Sequence, residues 1–272
     1  VNLWLTSGRG RFNRAEPPPL LMISGAGLLG GATDAANLVV ISPDQRAALV
    51  QVSPQMLRFS YHTRYELIEF AVFTLAARAQ QLVPLHAACV GQGGRGILLL
   101  GPSSSGKSTV SLHCVLNGLD FLSEDSVFVS PDTMLATGVA NFLHVRTDSL
   151  AWLGRSREAA AVRKSPVIQR RSGIRKFEVD LRRHGFRLAR SPLKIVAAII
   201  LSPLSAGKRP LLKPISTSAL VADLADTQAY AASQPQWKQF SGNMSGIEAF
   251  ELRRGHHPNE AVEALRSLLA GR

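Results

Sequence analysis

The sequence predicts a mixed α/β fold with a small β-rich region at its N-terminus, and three observations support this prediction. Strand-like apolar runs alternate with helical patterns from residue 64 onward. A glycine-rich loop lies between the apolar run Gly96–Leu100 and a short amphipathic pattern that begins at Ser108. Short apolar runs separated by turn residues fill the first part of the chain. We therefore expect a β-rich region over 1–63, packed on the core, and a larger domain over 64–272.

The N-terminal region carries four short apolar runs that predict a small sheet. These runs are Leu20–Ile23, Leu38–Ile41, Ala47–Val52 and Leu57–Tyr61. Residues 25–30 match the pattern G-x-G-x-x-G, which also occurs in dinucleotide-binding folds. The next strand-like run starts at Leu38, which leaves no room for the helix that a dinucleotide fingerprint must open. We interpret residues 25–30 as the connection of a β-hairpin.

The larger region begins with a helical pattern over Tyr65–Gln81, in which apolar residues recur at helical spacing. Predicted strands follow at Leu85–Val90, Gly96–Leu100, Phe121–Glu124, Val127–Val129 and Ile195–Leu201. The last of these is apolar throughout and predicts a central strand. Predicted helices lie at Ala219–Leu224 and Asn259–Leu269. The stretch Gly154–Ser172 has little periodicity, which favours a mobile loop or lid.

The most informative motif is a phosphate-binding loop of the form G-x-x-x-x-G-K-S. It consists of Gly101, Pro102, Ser103, Ser104, Ser105, Gly106, Lys107 and Ser108, and Thr109 follows it. Small residues let backbone N–H groups surround phosphate oxygens, the lysine contacts the outer phosphates and the serine hydroxyl ligates Mg²⁺. We expect Lys107 to lie on a solvent-facing part of the loop. The motif predicts that the chain binds ATP with Mg²⁺.

Two adjacent acids, Glu124 and Asp125, end the strand that follows the phosphate-loop helix. That strand should return to the edge of the sheet at which the phosphates bind. Phosphoryl transfer needs a metal ligand besides Ser108 and a group that orients or deprotonates the acceptor. A solvated strand end is the alternative interpretation of the acid pair.

The combination of His86, the loop 101–108 and the acid pair 124–125 resembles the HPr kinase/phosphorylase family. The segments Leu85–Ala88, Gly101–Ser108 and Leu122–Val127 carry the resemblance, which covers a stretch of about 50 of the 272 residues. It implies a core related in fold to phosphoenolpyruvate carboxykinase. It also implies ATP-dependent phosphorylation of a serine hydroxyl on a peptide or small protein.

The family includes short relatives that phosphorylate a serine of a peptide-natural-product precursor, and the chain is more similar to these. It lacks the E-x-R-G-L-G-I signature of the bifunctional enzymes and has Glu124 where the family usually has Asp. The resemblance implies that Asp125 and Ser108 hold Mg²⁺, that Glu124 is the acceptor base and that His86 orients the Glu124 carboxylate. Lys107 completes the implied catalytic set.

The net charge of +12 is concentrated in the basic segment Arg155–Lys194, which has 13 Lys and Arg and three acids. We expect a mobile basic region at about 154–194 that meets an anion, either the γ-phosphate or an acidic substrate. The candidate cations are Arg163, Lys164, Arg170, Arg171, Arg175 and Lys176. Only two aromatic rings, Phe177 and Phe186, accompany this charge, so the pattern does not favour nucleic acid. An ordinary solvated surface is the alternative.

Composition limits the remaining choices. No apolar run reaches the roughly 18 residues of a membrane span, so we expect no membrane partner. Cys89 and Cys114 are expected to be buried, reduced thiols of a cytoplasmic protein.

Two alternative functions stay open. One is a nucleotide-binding regulatory module without turnover, and the other is an enzyme that acts on a small metabolite in the manner of a kinase or carboxykinase. The acceptor, the adenine-binding residues and the oligomeric state, a homo-oligomer included, stay open.

Overall fold

The structure is a computed structural model that describes residues 1–8, 16–169, 173–183 and 185–271. The chain forms two compact units, Val1–Leu82 and Val83–Arg272. Both strands and helices are present throughout, and the predicted mixed α/β fold class is confirmed. The helical pattern predicted at Tyr65–Gln81 lies in the first unit. The domain limits of 1–63 and 64–272 stay a prediction.

The first unit is built on a sheet of five strands within its described residues. They are β1 (Asn2–Leu5), β2 (Leu21–Gly25), β3 (Leu28–Asp34), β4 (Asn37–Ser42) and β5 (Ala47–Val52). Their order is β1-β5-β4-β3-β2, with β1 parallel to β5 and every other pair antiparallel. The strands β2 and β3 form a hairpin around Ala26 and Gly27, both at positive φ, which confirms the hairpin interpretation of residues 25–30.

Helical segments complete the first unit. They are a 3₁₀ turn (Met56–Arg58), a π-helix (His62–Ile68) and helix α1 (Glu69–Ala79). The strand predicted at Leu57–Tyr61 is therefore wrong. Thr63 donates its hydroxyl to the carbonyl oxygen of Met56, and backbone N–H groups of residues 57–59 bond to nearby carbonyls, so this run satisfies its polar groups locally rather than in the sheet.

The second unit begins with the strands that surround the phosphate loop. These elements are β6 (Val83–Leu85), β7 (Ala88–Gln92), β8 (Arg95–Leu100), α2 (Lys107–Leu116), β9 (Asp120–Ser123), β10 (Val127–Val129) and β11 (Leu135–Gly138). The strand predicted at Leu85–Val90 is interrupted, because the N–H of Ala87 bonds to the carbonyl of Leu85 in a tight turn. As a result β6 pairs with β10, whereas β7 pairs with β8 and β9.

The middle of the second unit carries a separate small sheet. Its elements are β12 (Phe142–Arg146), a 3₁₀ helix (Asp148–Trp152), α3 (Arg157–Lys164), β13 (Val167–Gln169) and β14 (Arg175–Asp180). The strands β12 and β13 both pair with β14 in antiparallel fashion. The stretch Gly154–Ser172 contains regular structure in its described residues, because Ser156 caps α3 and Ala159 and Val162 are buried in the core. That this segment moves as a lid stays a prediction.

The remaining elements complete the large sheet. They are β15 (Leu193–Ser205), β16 (Leu212–Pro214), α4 (Thr217–Thr227), α5 (Ala229–Ala232), α6 (Trp237–Asn243), a 3₁₀ turn (Met244–Gly246), β17 (Glu248–Arg254) and α7 (Pro258–Leu269). Strand β15 runs parallel to both β8 and β17, which confirms the central strand predicted at Ile195–Leu201. Hydrophobic clusters cover the sheet, and α2 and α7 pack together. Among the described residues, no helix combines the length and apolar character that crossing a membrane requires.

Candidate nucleotide-binding site

The phosphate loop connects the end of β8 to the start of α2, as the motif predicts. Gly101, Ser104 and Gly106 have positive φ angles of 135°, 67° and 109°. Such angles suit glycine and let the backbone fold back on itself at the helix N-terminus. The hydroxyl of Ser105 is buried and has no hydrogen-bond partner among the described residues. A buried polar group of this kind is costly, and a phosphate oxygen would satisfy it.

Lys107 is the first residue of α2 and is only 6% exposed, so the expectation that it lies on a solvent-facing part of the loop is wrong. Its ammonium donates to the carbonyl oxygens of Gly101 (2.7 Å) and Pro102 (3.2 Å). Burial lowers the pKa of Lys107, and the nearby carboxylates of Asp125 and Glu124 oppose that shift. The ammonium has three donors, and a phosphate could occupy the one that these two bonds leave.

Glu124 follows β9 and is 4% exposed. One carboxylate oxygen, Oε1, accepts a short hydrogen bond from the Ser108 hydroxyl. The other, Oε2, accepts from the backbone N–H of His144 (2.7 Å) and from its Nδ1 (2.9 Å). Burial raises the pKa of Glu124, but the hydrogen bonds from His144 and Ser108 and the charge of His144 outweigh burial, and the pKa is lowered. The carboxylate is thus held ionised against the last residue of the phosphate loop.

His144, on β12, is the histidine that fixes Glu124, and the sequence analysis missed it. It is 6% exposed, and its Nε2 lies 3.7 Å from Oε1 of Glu178, its neighbour across the pair β12–β14. Burial by itself would lower the pKa of His144. The hydrogen bonds to Glu124 and Glu178 have the larger effect, so the pKa is raised to about 9. His144 is therefore a buried imidazolium between two carboxylates. No motif marks it in the sequence.

His86 contacts two other parts of the chain, and its role in orienting the Glu124 carboxylate stays a prediction. Its Nδ1 lies 3.2 Å from the backbone oxygen of Asp125, and its backbone N–H donates to Oε1 of Gln228 (2.8 Å). His86 and Asp125 both line the cavity beside the phosphate loop. The side chain of Asp125 is half-buried, in contrast to the buried Glu124.

A cavity of about 550 Å³ adjoins the phosphate loop. The last six residues of the phosphate loop, 103–108, lie along it together with Thr109. Of the predicted cations, Lys176 lines this cavity, whereas Arg163, Lys164 and Arg175 are exposed outside it. Arg163 instead donates to the carbonyl oxygen of Leu153 (3.1 Å). The predicted Arg170 and Arg171 lie outside the described residues.

Other cations that the sequence analysis did not select line the same cavity: Arg146, Arg253 and Arg254. Arg146 donates to the Ser104 hydroxyl of the phosphate loop (3.3 Å) and pairs with Asp148 (2.8 Å). Because Arg146 lies two residues after His144 on β12, the same strand brings the imidazolium to Glu124 and a guanidinium to the loop. Positive charge around the loop therefore comes from three separated parts of the chain.

The donor atoms present are suited to a magnesium ion. Ser108 Oγ and the carboxylates of Glu124 and Asp125 are hard oxygen ligands, which Mg²⁺ prefers. Glu124, Asp125 and His144 each offer an atom within 4.8 Å of the others. The imidazole of His144 is already bonded to Glu124, so the oxygen atoms are the better candidates. The residues fit Mg²⁺ together with a polyphosphate.

Comparison with known proteins adds little to this geometry. No protein-family model matches the chain, and no curated protein is significantly similar to it. Among solved structures, the HPr(Ser) kinase/phosphatase from Coxiella burnetii is similar to this chain. The similarity covers 69% of this chain and 88% of that one, at 14% sequence identity and a TM-score of 0.32. A similarity with so low a TM-score supports no conclusion about function, so the function is inferred from the site itself.

Proposed function

We propose that the protein is an ATP- and Mg²⁺-dependent phosphotransferase that phosphorylates a serine hydroxyl of a peptide or small protein. The main support for this proposal is the hydrogen bond that Ser108, at the end of the phosphate loop, donates to the buried carboxylate of Glu124. This connection joins the element that binds phosphate to an acid that can organise a metal. The class of acceptor is inferred from the resemblance of the motifs to the HPr kinase family.

Loop amides, Lys107 and the Ser105 hydroxyl would bind the phosphates of ATP. Ser108 and Glu124 would hold Mg²⁺, which when bound offsets the negative charge that develops on the transferring group. Arg146 and Lys176 line the cavity and supply further positive charge for the γ-phosphoryl oxygens. The attraction between these cations and the phosphoryl oxygens is strongest where water is excluded, because screening is weakest there.

The two acids differ in their surroundings, which supports distinct roles. Both oxygens of Glu124 are occupied, by Ser108 and by His144, and the carboxyl is buried. Asp125 lies along the cavity, where an acceptor could approach it. We therefore assign acceptor activation to Asp125 and metal binding to Glu124, the reverse of the roles that the resemblance implies. His144 positions Glu124, and His86 braces the backbone of Asp125.

The proposed transfer is a single displacement at the γ-phosphorus of ATP. The serine oxygen forms a bond to the γ-phosphorus while the bond from that phosphorus to the bridging oxygen of ADP breaks. The electron pair of the broken bond stays on the ADP oxygen. The serine proton passes to the carboxylate of Asp125, within whose reach the acceptor hydroxyl must lie.

Transfer of label from [γ-³²P]ATP to a serine-containing peptide library tests the proposal. Wild-type protein with Mg²⁺ should label this library but not a matched library in which serine is replaced by alanine. Lys107→Ala should reduce labelling by at least about 10²-fold, because a donor to the phosphoryl oxygens is lost. Since Lys107 also bonds to the loop carbonyls, circular dichroism must show that the variant is folded.

Two results would contradict different parts of the proposal. ATP binding without transfer to either library, measured by calorimetry, would remove the serine-kinase assignment and favour a binding module. Failure of wild-type protein to bind Mg²⁺–ATP would remove nucleotide binding altogether.

A further inference from the structure

Trp152 is an exposed aromatic ring on the wall of the site. It ends the 3₁₀ helix Asp148–Trp152, is 45% exposed and lines the cavity that adjoins the phosphate loop. A large ring left open to a cavity loses the free energy that burial would provide, roughly 25 cal/mol per Å² of apolar surface. Trp152 has no part in the phosphoryl chemistry proposed above. Its position suggests a ligand with an apolar face.

Trp152 is held in a fixed relation to the phosphate loop. Thr109, the residue after the loop's serine, shares a hydrogen bond of 2.9 Å with Ser149 on the same 3₁₀ helix. Ser149 and Trp152 are one 3₁₀ turn apart, which is roughly 6 Å of axial rise. The first turn of α2, where a bound polyphosphate would lie, is thus tied to the segment that presents the indole.

A histidine ring contacts the indole, and a second histidine ring contacts the first. The rings of Trp152 and His257 meet edge to face with centroids 5.5 Å apart, and those of His257 and His113 do so at 5.4 Å. His257 is itself fixed at the start of α7, because its Nδ1 accepts from the N–H of Asn259 and its own N–H donates to Glu260. His113 lies on α2 and contacts Asn259 through Nδ1. The rings are therefore pre-organised by both helices.

We propose that Trp152, supported by His257, binds the base of the nucleotide whose phosphates lie on loop 101–108. This inference rests on the proposed nucleotide-dependent function and adds the binding site for the base. His257 lines the same cavity, and so do Arg253 and Arg254, which can meet the negative charge of the ligand. A planar base fits a site that offers an exposed ring at a short, fixed distance from a phosphate-binding loop.

Recognition by stacking has a consequence for specificity. Every base has a π-face, so stacking on an aromatic ring tolerates different bases, and the larger purines offer more contact area. ATP and GTP should bind with affinities within about threefold of each other, and both should bind more tightly than CTP. Inorganic tripolyphosphate should bind only through the loop.

Calorimetry with three probes, Mg²⁺–ATP, Mg²⁺–GTP and Mg²⁺–tripolyphosphate, tests the proposal. Trp152→Ala should weaken ATP and GTP binding by about 5- to 100-fold and leave tripolyphosphate binding within twofold. Trp152→Phe keeps a stacking ring and should retain most of the affinity. Tyr230→Ala is the matched control, because Tyr230 is 38% exposed but does not line the cavity. That control should bind all three probes as wild type does.

A fluorescence measurement keeps the test independent of the folding of Trp152→Ala. The chain has three tryptophans, so Trp4→Phe with Trp237→Phe leaves Trp152 as the single indole. Mg²⁺–ATP should quench its emission, whereas Mg²⁺–tripolyphosphate at saturation should not.

The outcomes separate the base site from the proposed function. Unchanged ATP affinity in Trp152→Ala, an equal loss of ATP and tripolyphosphate binding, or equal quenching by both probes would each overturn the base site. A rise only in the KM of the peptide would overturn it as well, and would assign Trp152 to the acceptor. If wild-type protein binds tripolyphosphate and ATP equally well, the base site is wrong while phosphate binding stands. If it binds neither, the proposed function fails too.

Discussion

The phosphate loop and the basic segment Arg155–Lys194 both offer positive groups to an anion, but the protein holds those groups differently. Lys107 is buried at the start of α2 and bonded to two carbonyl oxygens of its own loop. Arg163, Lys164 and Arg175 of the basic segment are exposed outside the cavity, and Lys176 alone among the described predicted cations lines it. Abundance of charge in the sequence therefore did not identify the charges at the site.

The difference shows that a motif and a composition carry different kinds of information. A phosphate loop fixes its own geometry, because glycines and the following helix act over eight neighbouring residues. A run of basic residues only raises the local potential, and secondary structure decides which side chains reach an anion. Described parts of this segment serve the fold instead: α3 packs on the core, and Arg182 pairs with Asp180.

The largest effects should come from substitutions in the acid pair, Glu124 and Asp125, beside the phosphate loop. Asp125→Asn should keep ATP affinity but lower kcat by about 10²- to 10⁴-fold, because it removes the proposed base. Glu124→Gln should weaken Mg²⁺-dependent ATP binding and lower the free energy of unfolding by about 3 kcal/mol, because it removes the closer of the two carboxylates that pair with the His144 imidazolium. Calorimetry, steady-state kinetics and urea denaturation measure these quantities.

Asp125→Asn serves as the stability control for Glu124→Gln, since a half-buried carboxyl facing a cavity should cost less than about 1 kcal/mol. Exchanged phenotypes, with rate lost in Glu124→Gln and metal dependence lost in Asp125→Asn, would restore the roles implied by the resemblance. Wild-type behaviour of both variants would remove the acid pair from the mechanism.

A smaller effect should distinguish cations inside the basic segment. Lys176→Ala should lower kcat/KM for ATP by about tenfold or more, because it removes a charge from the wall of the cavity. Lys164→Ala is a matched control on the same segment and should stay within about twofold of wild type. Both are measured by steady-state kinetics at two salt concentrations. Equal losses in the two variants would mean that the segment acts through its overall charge.

The smallest effect should be the response of α3 to ligand. Its residues Ala159 and Val162 are buried, and its N-terminus is capped by Ser156, so its amides should already exchange slowly in the free protein. Hydrogen exchange should change by less than about twofold on adding Mg²⁺–ATP, whereas the amides of residues 103–109 should slow markedly. Rapid exchange of α3 that slows only with ligand would show that this segment closes over the site.

Local pattern was sufficient where neighbouring residues supply most of the interactions. It predicted the hairpin at residues 25–30, the strand that leads into the phosphate loop, the central strand and the C-terminal helix. It failed at Leu57–Tyr61, where an apolar run folds into helical turns, and it missed α3 within Gly154–Ser172, because this helix is too short to show clear periodicity. Both errors concern short segments whose state depends on packing.

The sequence by itself determined the phosphate loop, the helix behind it and the position of the acid pair after a strand, because these are properties of contiguous residues. Only the tertiary structure decided which histidine meets Glu124. The motif points to His86, but His144 bonds to the carboxylate because its position on β12 brings it to Glu124, the residue after β9. Likewise, Trp152 and His257 are about a hundred residues apart and meet where the 3₁₀ helix Asp148–Trp152 reaches the start of α7. Contacts of this kind leave no local pattern, since each residue satisfies its own element and meets its partner only when the elements pack.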